Sequence, residues 1–225
     1  AVGVALLFAA VLPPVVLTPD ENSMLAVAVS LVEGRGMTVP ADLGRAGLSG
    51  AVYSSWYPLN SLLAVPVVAV AKGAASLTHL PVSYVAAPFA VAWVALLTAG
   101  TCAVITCTVC AWGGARTAGV AAAVTYAFGT IVQVYGRSFF AESLLAGLTA
   151  VAILAATNST DRVARLELIA AALAVLAKPT GIVVGIALCL FHLASGRVVR
   201  ATASATAATA GLFAYLTYNA VRFGS

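Results

Sequence analysis

Pro81 to Trp112 reads PVSYVAAPFAVAWVALLTAGTCAVITCTVCAW, a run of thirty-two residues without one charged side chain. A helix needs about 20 apolar residues to cross roughly 30 Å of hydrocarbon. This run spans with tilt and leaves an end protruding. Further apolar runs lie at 1–17, 117–133, 138–156, 166–177, 180–195 and 200–220. Of 225 residues, 62% are hydrophobic and 8% charged, and the mean hydropathy is +1.07. A soluble domain carries about 25% charged residues. The expectation is an all-α, polytopic membrane helix bundle of about seven transmembrane helices, one module over 1–225.

Orientation follows from the basic residues. Arg162 and Arg165 flank one end of the pair 166–177 and 180–195, and Arg197 and Arg200 flank the other. Short basic loops stay in the cytoplasm, so the pair reads as a hairpin with Lys178-Pro179-Thr180 at its outer tip. Pro179 suits a helix break. Arg116 joins the inner set, and the Tyr218–Arg222 end falls outside. A rival topology makes Leu59 to Ala71 a span and inverts everything downstream. Its charge-free core, Ser61 to Ala71, counts only eleven residues and contains Pro66, which fits an interfacial or re-entrant segment better.

The chain begins at Ala1, already apolar, without the basic region and cleavage site of a signal peptide. The first run therefore reads as a retained span, and the abrupt end at Ser225 reads as a missing C-terminal part. The net charge is +4, with eleven scattered cations. They form no basic stripe interleaved with aromatics, which argues against a nucleic-acid partner. Cys102, Cys107, Cys110 and Cys189 all lie in apolar runs and read as inert buried thiols. Cys107 and Cys110 have no companion pair for a metal site.

Residues 18–80 form the one sizeable non-spanning stretch, the first extracytoplasmic loop. It holds four of the seven acids: Asp20, Glu21, Glu33 and Asp42. Thr18-Pro19-Asp20-Glu21 is a capping-box start with Pro at the first helical position. Met24, Leu25, Ala28, Leu31 and Val32 then make an apolar stripe. Asp20, Ser23, Ser30 and Glu33 share the other side, and Gly34 ends the helix. This predicts an amphipathic helix along the outer membrane face. Two adjacent acids beside a bilayer exceed what a cap requires, so capping and a catalytic or ligand-binding carboxylate both stay open.

Tyr53-Ser-Ser-Trp56-Tyr57-Pro58 reads either as an interfacial aromatic belt or as a sugar platform carried by Tyr53 and Tyr57. Arg137, Lys178 and Arg222 fall on the outer side. Each is either a snorkelling anchor or part of a phosphate clamp. Glu142 opens the span after Arg137 and needs a partner, with Arg137 or Lys178 in reach. His79 and His192 stand alone. Asn158-Ser-Thr160 matches a glycosylation sequon in a predicted inner loop, where it is discounted.

The order of these motifs resembles the GT-C superfamily of membrane glycosyltransferases, close to the protein mannosyltransferases and the aminoarabinose transferases. The resemblance rests on Asp20-Glu21 after the first span, Val32–Gly36, Tyr53–Leu59, Arg137–Ser143, Leu176–Thr180 and Tyr218–Gly224. It covers essentially the whole chain as that family's N-terminal module. It implies transfer of a sugar from a polyprenyl-phosphate donor to an acceptor hydroxyl on the outer face, with inversion. Asp20 would be the general base and Glu21 its support. Tyr53, Tyr57, Arg137, Glu142, Lys178 and Arg222 would be substrate-binding. Some relatives use a divalent metal; here no second carboxylate set is evident, and no metal or other cofactor is expected. The implied partners are the lipid-linked sugar and membrane lipid, with the acceptor unread. The other classes are a lipid or small-molecule transporter or flippase, and a non-catalytic scaffold. Transporters place polar groups near the bilayer midplane, often in paired repeats, and neither is apparent. Ala/Val richness and Arg in preference to Lys suggest a GC-rich bacterial genome, hence the bacterial cytoplasmic membrane with the active face outward.

Overall fold

The structure, a computed structural model, describes Gly3, residues 18–158 and residues 161–224. The first span expected at 1–17 otherwise lies outside the described residues, as do Ser159 and Thr160 of the sequon. The described chain is almost all helical: α1 (Pro19–Val32), α2 (Pro58–Thr78), α3 (Val82–Ala111), α4 (Arg116–Phe128), α5 (Val132–Tyr135), α6 (Glu142–Ala156), α7 (Asp161–Ala177), α8 (Ile182–Ala194) and α9 (Val198–Phe223). Between α1 and α2 the loop adds a small hairpin. In it β1 (Arg45–Ala46) pairs antiparallel with β2 (Val52–Tyr53), Arg45 opposite Tyr53.

Helix boundaries follow local chemistry. Pro19 and Pro58 sit in the first turns of α1 and α2, where a missing N–H costs nothing. Gly34, with φ +77°, follows the end of α1, and the Arg35 amide donates back to Ser30 O at 2.8 Å. Gly129 caps α4 earlier than the hydropathy alone suggests. The hairpin break falls at Lys178, followed by the 3-10 turn Pro179–Gly181.

α3 is the axis of the fold. Its 30 residues make a rod of about 45 Å at 1.5 Å per residue. The first half packs with α1 and α2 around Met24, Ala28, Ala64, Val68, Ala86, Ala90 and Val94. The second half packs against α4 through Ala95, Cys102, Ala123 and Ala127. It also runs beside α6, where Thr98 Oγ1 lies 3.4 Å from Ser143 Oγ. α6 through α9 complete this side, with Ala152, Ala156, Ala170, Ala171 and Leu188 at their centre. Small residues let these helices touch: a side chain at Gly211 would collide with Ala172 O, and one at Gly185 with the Ala208 methyl.

Among the described residues two helices, α2 and α3, are long and apolar enough to cross a membrane. α2 corrects the expectation of an eleven-residue apolar segment. It continues through Pro66 for 21 residues, and Lys72 Nζ, beyond the apolar core, donates to Val32 O at 3.1 Å. Ser61 Oγ reaches Met24 O at 2.8 Å, so α1 and α2 run side by side in the same direction. α1 also departs from the surface helix expected. Ser23 and Ser30, on its supposedly wet side, are buried along with Val27 and Val29, and the loop between α1 and α2 covers Ser23 through Leu43 O and Ser54 Oγ. Of the four free thiols only Cys102 is buried; Cys107 and Cys110 are exposed and Cys189 is intermediate.

Candidate active site

The capping box at the start of α1 forms as its sequence dictates. Thr18 Oγ1 accepts from the Glu21 amide at 3.2 Å. In return Glu21 Oε2 accepts from the Thr18 amide at 3.1 Å and from its hydroxyl at 2.9 Å. The other oxygen reaches 118 residues along the chain: Oε1 accepts the Phe139 amide at 2.7 Å. Glu21 is 3% exposed. Both its oxygens are committed, and it clamps the first turn of α1 to the segment that opens α6. Asn60 reinforces the clamp by donating Nδ2 to Phe139 O at 3.4 Å. Asp20, one residue earlier, is half-buried. Its carboxylate has no hydrogen bond or ion pair among the described residues.

Three residues beyond Phe139, Glu142 begins α6. Of the two partners open to it from sequence, it takes Lys178, with Nζ 2.7 Å from Oε1. The pair is 30% and 29% exposed on its Lys and Glu sides. The hydrogen bond to Glu142 leads the causes that hold Lys178 above the usual lysine range, with burial opposing it. Tyr57 stands beside the pair. Burial first, then the neighbouring Tyr215 and Glu142, push its phenol up, with Lys178 opposing. The Tyr57 and Tyr215 rings lie 5.9 Å apart, and Tyr135 also acts on Lys178. An ammonium group thus sits with one carboxylate, Glu142, under the influence of Tyr57 and Tyr135.

Arg222 occupies a different position from the one a free phosphate clamp needs. It is 5% exposed. Its guanidinium donates to Ser54 O at 2.6 Å and to Asn219 Oδ1 at 2.7 Å, and it stacks on Tyr218 at 3.5 Å. Tyr53 belongs to this knot: its ring meets Phe223 edge-on at 6.2 Å and lies 5.9 Å from the Arg222 guanidinium. Ser54 ties the knot to α1, for Ser23 Oγ donates to Ser54 Oγ at 2.8 Å and Leu43 O lies 2.6 Å from the same hydroxyl. Arg137 donates Nε to Gln133 O at 3.0 Å and has no acidic partner among the described residues.

Hydrogen bonds therefore tie the start of α1 to Phe139, Glu142 to Lys178, and Ser23 of α1 through Ser54 to the end of α9. Arg197 and Arg200 mark the opposite end, where they cap Ala156 O at 3.4 Å and Asn158 O at 2.8 Å. Reading the sequence alone misses Tyr135, Tyr215, Ser54 and the Phe139 amide. The tyrosines carry a weak signal, since Tyr135 lies two residues from Arg137 and Tyr215 seven from Arg222. His192 is not alone, contrary to expectation. Its Nε2 lies 2.7 Å from Glu167 Oε1, which Ser204 Oγ also reaches at 2.6 Å, all buried. Among the described residues no three His, Cys, Asp or Glu side chains gather to hold a metal ion.

An apolar furrow of about 340 Å³ runs between α3 and α6. Trp93, Leu97, Gly100 and Val104 line one wall; Leu144, Gly147 and Val151 line the other. No protein-family model matches the chain, and neither does any curated protein or solved structure.

Proposed function

We propose that this chain is the membrane module of a glycosyltransferase that moves a sugar from a polyprenyl-phosphate donor to an acceptor hydroxyl. In this reading α3, α4 and α6–α9 cross the bilayer with the run 1–17, seven spans in all, and α1 and α2 form an outer cap. The site level is then the extracytoplasmic face of a cytoplasmic membrane. The observation that carries the reading is an unpartnered carboxylate, Asp20, held beside the Glu21–Phe139 clamp, which leads within three residues to Glu142 and Lys178.

The chemistry divides among these groups. The acceptor hydroxyl gives its proton to Asp20 as its oxygen bonds to the anomeric carbon. The bond from that carbon to the phosphate oxygen breaks, and its electron pair leaves with the lipid phosphate. This leaving group is already a stable anion and needs positive charge more than a proton; Lys178 and Arg137 supply it. Tyr57 and Tyr215 offer hydroxyls and ring faces for the sugar. The furrow between α3 and α6, lined on one side by Leu144, takes the lipid chain. Glu21 positions Asp20, and Arg222 with Tyr53 holds the outer loop over the site.

A second reading draws on the buried Glu167–His192 pair, because intramembrane acids and histidines often carry protons in transporters. Transfer of labelled sugar from a polyprenyl-phosphate donor in membranes containing the protein separates the two. Asp20→Asn is expected to lose about 100- to 10,000-fold in turnover with unchanged melting. Full activity in a folded Asp20→Asn protein removes the proposed base.

A further inference from the structure

Glu142 is the feature that the transfer reaction leaves without a task. It touches Lys178, the cation meant for the phosphate, and so occupies the position where an anion is needed. We infer that Glu142 is a placeholder anion, which holds the Lys178 ammonium in the empty site and is displaced by the phosphate of a lipid ligand. The inference rests on the donor-phosphate reading of Lys178 given above.

Three observations point to exchange rather than a permanent bridge. The contact is single: one carboxylate oxygen meets Nζ at 2.7 Å, although an ammonium offers three donors. Both partners are about a third exposed, so an incoming anion reaches the lysine without unfolding anything. An ion pair this exposed contributes little to stability, unlike the fully enclosed Glu167–His192 pair on the same bundle. The donor's phosphodiester carries a charge of −1, matching the carboxylate, and the phosphomonoester left after transfer carries about −1.5 to −2 near pH 7, so the released lipid phosphate is the stronger competitor for the cation. Tyr57 and Tyr135 act on the lysine, and the Tyr215 ring lies 5.9 Å from that of Tyr57, so phenol hydroxyls stand close to the cation. Between turnovers Glu142 keeps the lysine aimed, and it returns as the lipid phosphate departs.

The test uses dodecyl phosphate in detergent micelles, with inorganic phosphate and dodecanol as comparison ligands. Glu142→Gln is expected to bind dodecyl phosphate about two- to fivefold more tightly than wild type, the amount an exposed pair is worth. Lys178→Met is expected to lose the binding. Inorganic phosphate competing as well as dodecyl phosphate identifies a free anion as the ligand in place of a lipid. A second readout needs no variant. A zero-length carbodiimide cross-link between Glu142 and Lys178 forms in the free protein and disappears with dodecyl phosphate, not with dodecanol. Equal or weaker binding by Glu142→Gln, or a cross-link that persists at saturating dodecyl phosphate, overturns the placeholder role and leaves the transferase reading standing. Absence of binding in wild type and Glu142→Gln alike overturns both.

Discussion

Removing the Glu21 carboxylate should loosen the outer cap without touching the chemistry directly. Glu21 accepts three hydrogen bonds, from the Thr18 amide at 3.1 Å, the Thr18 hydroxyl at 2.9 Å and the Phe139 amide at 2.7 Å. In Glu21→Ala the Phe139 N–H stays buried without an acceptor, at a cost of about 1–3 kcal/mol. Loss of the box at the start of α1 adds about 1 kcal/mol. The sum is about 3 kcal/mol, which for a chain of this size lowers the melting temperature by roughly 6–12 °C. Thermal unfolding of the detergent-solubilised protein, followed by tryptophan fluorescence, measures it. Glu21→Gln keeps one oxygen for Phe139 and should fall between wild type and alanine. Melting within 2 °C of wild type for Glu21→Ala would refute the clamp, and with it the division of labour between the two acids.

Arg222→Ala should free the outer loop, since two charge-assisted hydrogen bonds and a stacked ring are lost together; trypsin cleavage at Arg45 is expected to rise at least about tenfold. Arg222→Lys should not restore protection, because an ammonium cannot reproduce the planar fork. Stability should also fall in alkali. Lys178 is held above its ordinary value by Glu142, so its contribution is complete below about pH 10 and is lost as pH rises through the folded value. Tyr57, whose phenol is pushed up chiefly by burial, acts in the same direction, because the folded state resists its ionisation. Melting curves from pH 7 to 11 should show the drop, and Lys178→Met should show a smaller one.

The parts of the fold that sequence reveals are those set within a few residues. Thr18, Pro19 and Glu21 write their own cap; Gly34 and Pro179 stop helices; the uncharged stretch from 81 to 112 becomes one helix. Contacts across long separations leave no such trace. Nothing near Glu21 announces that its second oxygen meets the Phe139 amide, or that the Arg222 fork closes on Ser54 O. α2 was underestimated because Pro66 reads as a breaker. A helix keeps its course there when neighbours such as Ala64, Val68 and Ala71 pack against α1 and α3. Glu167, His192 and Ser204 lie far apart in sequence, which hides the three-helix junction where they meet. The Glu142–Lys178 pair was one of two pairings open to Glu142 in the sequence, and the chain alone did not decide between them.

The shared outer site is tested most directly by thiol labelling at position 20. Asp20→Cys, on a background with the four native cysteines replaced, should react with a membrane-impermeant maleimide added to intact cells. A short-chain polyprenyl phosphate should slow the reaction, and the matching alcohol should leave it unchanged. Labelling only after the membrane is opened, or at a rate indifferent to the lipid phosphate, would contradict the account.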